Sequence, residues 1–469
     1  MASKSPGSIL LDLPLDLLAL VCSHLTWKQV CVLSSVCREL VTISKSSGFV
    51  RPQIHECIDC AYENKGSEVL QLQFGLWGNA VGKSFWDCLT AEHSITPDGR
   101  FNSFSKPLMD NINIYYNEQH RTFLPRCVAV PSDVVIGESQ QLNCGDRYMM
   151  NMPKQEFDIE ATMDLLRKQS EACNAPTAIQ ILSHLAESID LTRLCERVYD
   201  TFCQLEKLYI TSTPKSYNDW NTGNTIQNAH VIYELSDAVL LTSQRKLFEI
   251  CEDTPNGIRN DCQLVGACMA DLTSMFRFPN PKGMRQNWRK VLMSLMPFPR
   301  LKFLGIGSTL ASSEIQSPLS VEECTSCIMR NETTFSDATA KIQLANKLNA
   351  SAGLALVNYR GSFKDIEKIP DAIKALQQTL APPEDAFSDS NIIPNTCHVP
   401  NIYTRGSVSY IFNSQESVSP ITMLRDAYEG YSDRRESEVT QQMKDARYVL
   451  QDFPGMYYGF QRNMDNGNE

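Results

Sequence analysis

The stretch most suggestive of chemistry is GNAVGKS at residues 78–84, which looks like a phosphate-binding P-loop. A true P-loop places four residues between its first glycine and the Gly-Lys-Ser group, so that backbone N–H groups surround a phosphate. Here three residues separate Gly78 from Gly82, and the residue that would have to be glycine is Trp77. The stretch is therefore predicted to be an ordinary amphipathic helix.

Two Cys-x-x-Cys pairs, Cys57/Cys60 and Cys324/Cys327, have the spacing of metal ligands. A zinc site needs a second pair at a suitable distance, and these two lie in very different parts of the chain. The second pair also falls in a helical pattern, where a spacing of three merely marks one face. The 17 cysteines are scattered, as in proteins of a reducing compartment, so no metal site is predicted.

Composition excludes several classes of function. A net charge of −11, a pI near 5.3 and the absence of long Lys/Arg runs exclude a nucleic-acid binder. No uncharged apolar stretch is long enough for a membrane span, and Asp12 and Asp16 interrupt the amino-terminal apolar run as no signal peptide would. No HExxH or GxSxG motif occurs, and the seven histidines are dispersed. We expect a cytoplasmic protein with no catalytic site of its own.

Residues 10–43 form a dense apolar segment of short helices. Spacings of one, three and four place its apolar residues on helical faces. Those residues are Leu13, Pro14, Leu17, Leu18, Val21 and Leu25, followed by Val30, Leu33, Val36 and Cys37. Helices this short cannot bury so much apolar surface among themselves, so the segment needs a neighbouring domain or a partner protein.

The ordered run LP…LL…L…V…L…VCR in this segment resembles an F-box, the helical module that binds the Skp adaptor of cullin–RING ubiquitin ligases. It departs from the family at Asp16, where Glu is usual, and at Leu40, where Trp is usual. The resemblance implies that the ten apolar residues contact the adaptor. The alternative is a plain helical hairpin packed on the body of the protein.

From Glu68 onward, strand and helix patterns alternate along the chain. Strand patterns lie at 69–75, 112–118, 126–130, 178–184 and 205–211, and helix patterns at 78–93, 160–173 and 190–202. This rhythm is typical of an α/β fold with a parallel sheet.

The same region resembles the tubulins in several ordered blocks. QFGLWGNAVGKSFWDCLTAEHSITPDGRF opens the likeness and MPFPRLKF is its second strong block. The blocks lie at 73–101, 115–118, 124–126, 277–279, 296–303, 319–322 and 359–361. With the F-box-like module at 1–50 and a polar linker at 51–67, the resemblance implies a Rossmann-type α/β domain at 68–282 with a degenerate nucleotide site, an intermediate α+β domain at 283–425 and C-terminal helices at 426–469. It also implies a central helix at about 259–277 and no acidic tail.

The positions that hold GTP in tubulins have changed in this sequence. The glycine-rich phosphate loop corresponds to AESIDLT at 186–192, which has no glycine and carries two carboxylates. The positions of this degenerate seat are Leu76, Trp77, Pro131, Asp133, Ala186, Glu187, Asp190, Ile258 and Cys262. Asp133 keeps one of the two carboxylates near the metal, and Pro131 replaces the other. The position of the acidic residue that triggers hydrolysis in a neighbouring subunit is Lys290. We therefore expect no GTP, no other cofactor and no GTPase activity, with Trp77 filling part of the vacated space.

Together the two resemblances imply a substrate receptor of a Skp–cullin–F-box ligase, whose tubulin-like body recognises tubulins or tubulin-binding proteins. The alternative is a structural or regulatory component of microtubule-based assemblies such as centrioles or axonemes, associated with the cytoskeleton. A GTP-binding divergent tubulin is a third hypothesis, which the altered loops disfavour. Binding of the adaptor separates the first two.

Overall fold

The computed structural model describes residues 67–101, 111–119, 122–130, 158–188, 190–215, 222–253, 260–278, 287–296, 302–311, 320–329, 333–335, 354–361, 363–380, 392–397, 407–413 and 429. All of them belong to one compact unit, Ser67–Pro297 with Leu301–Glu469. The F-box-like segment and its ten apolar residues lie outside the described residues, as do Pro131, Asp133 and Ile258. The predicted domain boundaries stay predictions.

A nine-stranded sheet forms the centre of the described chain, and a two-stranded hairpin lies apart from it. The strands are β1 (Glu68–Phe74), β2 (Tyr116–Gln119), β3 (Thr122–Pro125), β4 (Cys127–Val130), β5 (Pro176–His184), β6 (Glu206–Thr213), β7 (Ala238–Ser243), β8 (Phe303–Ser308), β9 (Leu354–Arg360), β10 (Ile392–Cys397) and β11 (Ser407–Asn413). The sheet order is β10-β9-β11-β8-β7-β6-β5-β1-β4, and β2 pairs with β3. This is the α/β architecture with a mainly parallel sheet that the sequence predicts.

The strands from β4 across to β8 run parallel, with β1 between β4 and β5. Every side chain of β1 is buried, which explains its nearly continuous apolar pattern. Its two glutamines are joined inside the core, where Gln71 Oε1 accepts from Gln73 Nε2 at 2.7 Å and from Trp86 Nε1 at 2.6 Å.

Helices cover both faces of the sheet. They are α1 (Gly75–Glu92), α2 (Ile159–Glu171), α3 (Asp190–Thr201), α4 (Thr222–Leu235), α5 (Gln244–Asp253), α6 (Asp261–Arg277), α7 (Trp288–Leu295), α8 (Val321–Met329) and α9 (Ile369–Leu380). One core joins α1, α5, α6 and α7 to one face, and a second joins α2, α3 and α4 to the other. None of the helices that the structure describes is long and apolar enough to span a membrane.

The mixed part of the sheet contains β8 to β11. Strand β11 pairs antiparallel with both β8 and β9, and β10 pairs parallel with β9. Helices α8 and α9 supply a third core, which includes both Cys324 and Cys327. The helical interpretation of this cysteine pair is therefore confirmed: both thiols are buried on one face of α8.

The central helix, predicted at about 259–277, is confirmed as α6, but the strand predicted at 112–118 is partly wrong. Residues Ile112–Ile114 form a turn of 3₁₀ helix, and β2 begins only at Tyr116. Ile112 and Ile114 are both buried, which imitates the alternation of a strand. The turn brings Tyr115 and Tyr116 into the core one after the other.

A buried network of four charges joins α1, α6 and β9. Arg277 Nη1 lies 2.6 Å from Glu92 Oε2, and Arg360 pairs with both Glu92 and Asp271. Asn358 Nδ2 adds a bond of 2.8 Å to the Asp271 carbonyl. Burial raises the pKa of Asp271, and the Arg360 charge opposes that rise. Two carboxylates facing two guanidinium groups leave the network neutral.

Candidate functional site

The order of the parallel strands defines where a ligand of this fold would bind. The chain passes from β1 to β4 on one side and then returns to β5 on the other side of β1. In open parallel sheets, ligands bind in the crevice at such a reversal, beyond the carboxyl ends of the strands. Here the crevice lies where β1 leads into α1 and β5 leads into the loop at 185–188.

At the start of α1, a carboxylate of the protein itself takes the place of an anion. Gly75 opens the helix with φ of +75°, and the carboxyl group of Glu187 occupies the space where a Cβ on Gly75 would stand. The residue before the helix, Phe74, has no capping side chain. Because a helix amino terminus attracts negative charge, Glu187 is favourably placed there. The carboxylate thus occupies the position at which the amino terminus of α1 favours an anion.

The backbone N–H groups of the following loop point to partners within the protein. Leu185 N–H donates to the Ser212 carbonyl at 3.1 Å, and Glu187 N–H donates to the His184 carbonyl at 3.2 Å. Ala186 N–H donates to the imidazole Nδ1 of His184 at 3.1 Å. A phosphate loop needs such N–H groups directed at the ligand. Three consecutive N–H groups of this loop are engaged internally instead.

The side chain of Asn228 on α4 binds the same loop by hydrogen bonds. Its Nδ2 donates to the Leu185 carbonyl at 2.9 Å and to the Glu187 carbonyl at 3.0 Å. Its Oδ1 accepts from Thr192 Oγ1 on α3 at 2.9 Å. Side-chain bonds therefore fix the shape that this loop takes without any glycine in it.

The other end of the crevice is filled by Trp77. This side chain is 7% exposed, and its Nε1 donates to Asp261 Oδ2 at 3.3 Å, across from α1 to the first residue of α6. Asp261 also accepts from Gln244 Nε2 at 3.4 Å, and the ring of His184 packs edge-on against Trp77 at 6.1 Å. Burial raises the pKa of the neighbouring Cys262 thiol, which suits a core position and not a reactive one.

Carboxylates also stand at the amino termini of the next two helices. Asp158 caps α2 by accepting from the N–H groups of Glu160 and Ala161 at 2.9 and 3.3 Å. Asp190 is the first residue of α3 and lies 3.4 Å from Arg193. An open groove of about 610 Å³ runs between these two helix ends. Its lining is of mixed charge and comprises Asp158, Ile159, Glu160, Asp190, Arg193, Glu196 and Arg197.

The predicted positions thus fall into three groups. Trp77 and Cys262 lie near Asp261 at one end of the crevice, and Ala186 and Glu187 lie at the other. Leu76 is half exposed at the start of α1, and Asp190 lines the groove. Within the described residues no group of His, Cys, Asp and Glu is arranged to hold a metal ion.

Sequence reasoning missed four residues that shape the crevice: His184, Asn228, Gln244 and Asp261. The only sign of them in the sequence is that each is a polar residue within or at the end of an apolar pattern. His184 ends a buried strand, and Asp261 begins a helix. Trp77 lies 184 residues from Asp261 and Leu185 lies 43 residues from Asn228, so a local pattern does not reveal these pairings.

No family model matches the chain. The chain is similar to the tubulin beta-3 chain of Echinococcus multilocularis, with 24% identity over 403 residues, which covers 78% of this chain and 88% of the relative. The likeness therefore extends over most of both proteins. With the parallel-dominated α/β sheet already described, it identifies the body of this chain as tubulin-like.

Proposed function

We propose that this chain is a substrate receptor of a Skp–cullin–F-box ubiquitin ligase, with a nucleotide-free tubulin-like body as its recognition platform. The observation that supports a binding role most directly is the Glu187 carboxylate at the start of α1, where a nucleotide phosphate would bind. The ordered apolar run in residues 10–43 supports attachment to the adaptor.

Electrostatics and hydrogen bonding both disfavour a phosphate in the crevice. A nucleotide phosphate at the start of α1 would bring negative charge beside the Glu187 carboxylate, and like charges at short range repel strongly where water is excluded. The loop N–H groups that would compensate are already engaged. A body without nucleotide turnover contributes binding energy and no chemistry.

The ligase mechanism requires only proximity. A receptor that binds the adaptor through one segment and a client through another converts ubiquitin transfer into a reaction within one assembly, at high effective concentration. The tubulin-like form of the platform points to tubulins, tubulin-fold proteins or tubulin-binding proteins as clients.

We expect the purified full-length chain to carry no guanine nucleotide. The protein would be denatured and the supernatant separated by ion-exchange chromatography, with purified αβ-tubulin treated identically as the positive control. Less than about 0.05 mol of GTP plus GDP per mol of chain is the expected result, because the donors of a phosphate site are occupied. Recovery of near-stoichiometric nucleotide would contradict the nucleotide-free platform.

We expect the chain to bind the Skp adaptor through its amino-terminal apolar residues. In a pull-down with purified adaptor, replacing Leu17 and Leu18 by glutamate should reduce binding at least about tenfold, because two charges would enter a buried apolar contact. The matched control adds the same two charges at Ser23→Glu and Ser35→Glu, which lie off the apolar stripes and should leave binding unchanged. Equal binding by both double variants would exclude an F-box contact.

The second candidate function is a structural or regulatory component of microtubule-based assemblies. The extent of the similarity to a beta tubulin favours it, since 88% of the relative is covered. The same pull-down, with αβ-tubulin in place of the adaptor, separates the candidates. Binding to tubulin without binding to adaptor would support the structural role and assign residues 10–43 to packing.

A further inference from the structure

We propose that the loop at 185–188 is a proton-operated strap, closed over the start of α1 while His184 is neutral and released when the His184 ring takes up a proton. This inference does not depend on attachment to a ligase. The loop is held at the start of α1 by contacts within the protein and not by a bound nucleotide.

The closed state requires a neutral imidazole. Ala186 N–H donates to Nδ1 of His184, so that nitrogen must offer its lone pair and the ring proton must sit on Nε2. The Nε2 atom is buried. Trp77 packs edge-on against the ring.

The strap is short and its contacts depend on one another. His184 binds two successive residues of it, through Nδ1 to Ala186 and through its carbonyl to Glu187. Glu187 in turn places its carboxyl group on Gly75 at the start of α1. A change at His184 therefore reaches the amino terminus of α1 through two neighbouring residues.

The groups facing His184 leave it little compensation for a positive charge. Asp261 from α6 is the charged group whose field reaches the ring, and Glu187 is the acid of its own loop. Trp77 from α1, Gln244 from α5 and Thr213 from β6 carry no charge, but hydrogen bonds to Gln244 and Thr213 stabilise the protonated ring. Burial lowers the pKa of His184 to about 4, and the Asp261 charge and these two hydrogen bonds oppose this only in part.

Protonation would place an N–H on Nδ1 directly opposite the N–H of Ala186. Two donors cannot share a hydrogen bond, so the Ala186 contact is lost. The Asp261 charge then favours the cation. The loop keeps its bonds to Asn228 and to the Ser212 carbonyl, and loss of the Ala186 bond lets the Glu187 carboxyl group leave Gly75 and uncovers the first turn of α1.

The direction of the pH dependence follows from linkage. A solvated His184 in the open strap titrates near 6.5, so the open form binds more protons than the closed form between that pH and about 4. Opening therefore becomes easier as the pH falls. Between pH 7 and pH 5 the equilibrium constant for opening should rise about 20-fold.

Amide hydrogen exchange of the full-length chain, read by mass spectrometry on peptides that cover 184–191, tests the strap. Exchange at pH 7 and pH 5 is compared after correction for the intrinsic rate, and a peptide from β6 reports global opening. We expect protection of the strap to fall about 20-fold while β6 stays protected. Equal loss in both peptides, or no loss in the strap, would overturn the proposal.

Two variants sharpen the test. In His184→Asn the amide Oδ1 can accept from Ala186 N–H but does not titrate, so the strap should stay protected at both pH values. His230→Asn, which removes a histidine of α4 away from the strap, should behave as the wild type. If His184→Asn fails to fold, the wild-type comparison of the two peptides still decides the question.

Discussion

Replacing Arg360 by methionine is expected to lower the free energy of unfolding by about 3–5 kcal/mol. Among the residues that the structure describes, Arg360 is the cation that touches both carboxylates of the buried network, Glu92 and Asp271. Methionine fills much of the same volume but removes the ion pair of Asp271 with Arg360 and leaves Glu92 paired with Arg277. Removing one partner of a buried pair strands an uncompensated charge, which costs more than the pair itself contributes.

Urea unfolding followed by circular dichroism would measure this loss. The control is Arg193→Met, which removes an exposed arginine paired with Asp190 at 3.4 Å and should cost less than about 1 kcal/mol. Without Arg360, the pKa of Asp271 should rise further, because the opposing charge is gone. A cost for Arg360→Met similar to that of the control would mean that the network is not closed to water.

Gly75→Ala is expected to cost about 2–4 kcal/mol, from two separate effects. The φ of +75° strains any residue that has a Cβ, by about 1–2 kcal/mol. The new methyl group would also enter the space of the Glu187 carboxyl group and displace it from the start of α1. Loss of a carboxylate at a helix amino terminus adds its own cost of about 0.3–1 kcal/mol.

A double-mutant cycle with Glu187→Ala separates these effects. In the Glu187→Ala background the methyl group added by Gly75→Ala meets no carboxyl group, so that substitution should cost only the backbone strain. We expect the two substitutions to be non-additive by at least about 1 kcal/mol. Additive costs would show that the Glu187 side chain does not rest on Gly75 in solution.

Local sequence patterns predict the helices and strands in which buried side chains recur at a regular spacing. The alternation of strands and helices and the helix at 75–92 follow from apolar spacing that a single sequence displays. The central helix follows instead from the resemblance to tubulins. The prediction that Trp77 fills part of the crevice came from the resemblance to tubulins, in which a small residue stands at that position. The turn at Ile112–Ile114 was mistaken for a strand because two buried isoleucines two residues apart fit both structures.

The contacts that shape the crevice were not predictable in this way. Trp77 and Asp261 are 184 residues apart, and Asn228 reaches back 43 residues to the Leu185 carbonyl. Each of these residues is ordinary in its own segment. Their roles arise only when the parallel sheet brings the ends of β1 and β5 together with the start of α6.

The position of β11 has a consequence for how the molecule is made. This strand lies between β8 and β9, so among the described strands β9 and β10 are hydrogen-bonded to the rest of the sheet only through residues 407–413. A nascent chain that has not reached Ser407 exposes a bare edge on each of β8 and β9, and such edges pair readily with other chains. The sheet can therefore be completed only late in synthesis. A nonsense mutation before Ser407 is expected to yield an aggregation-prone protein and not a shortened protein that still binds its partners.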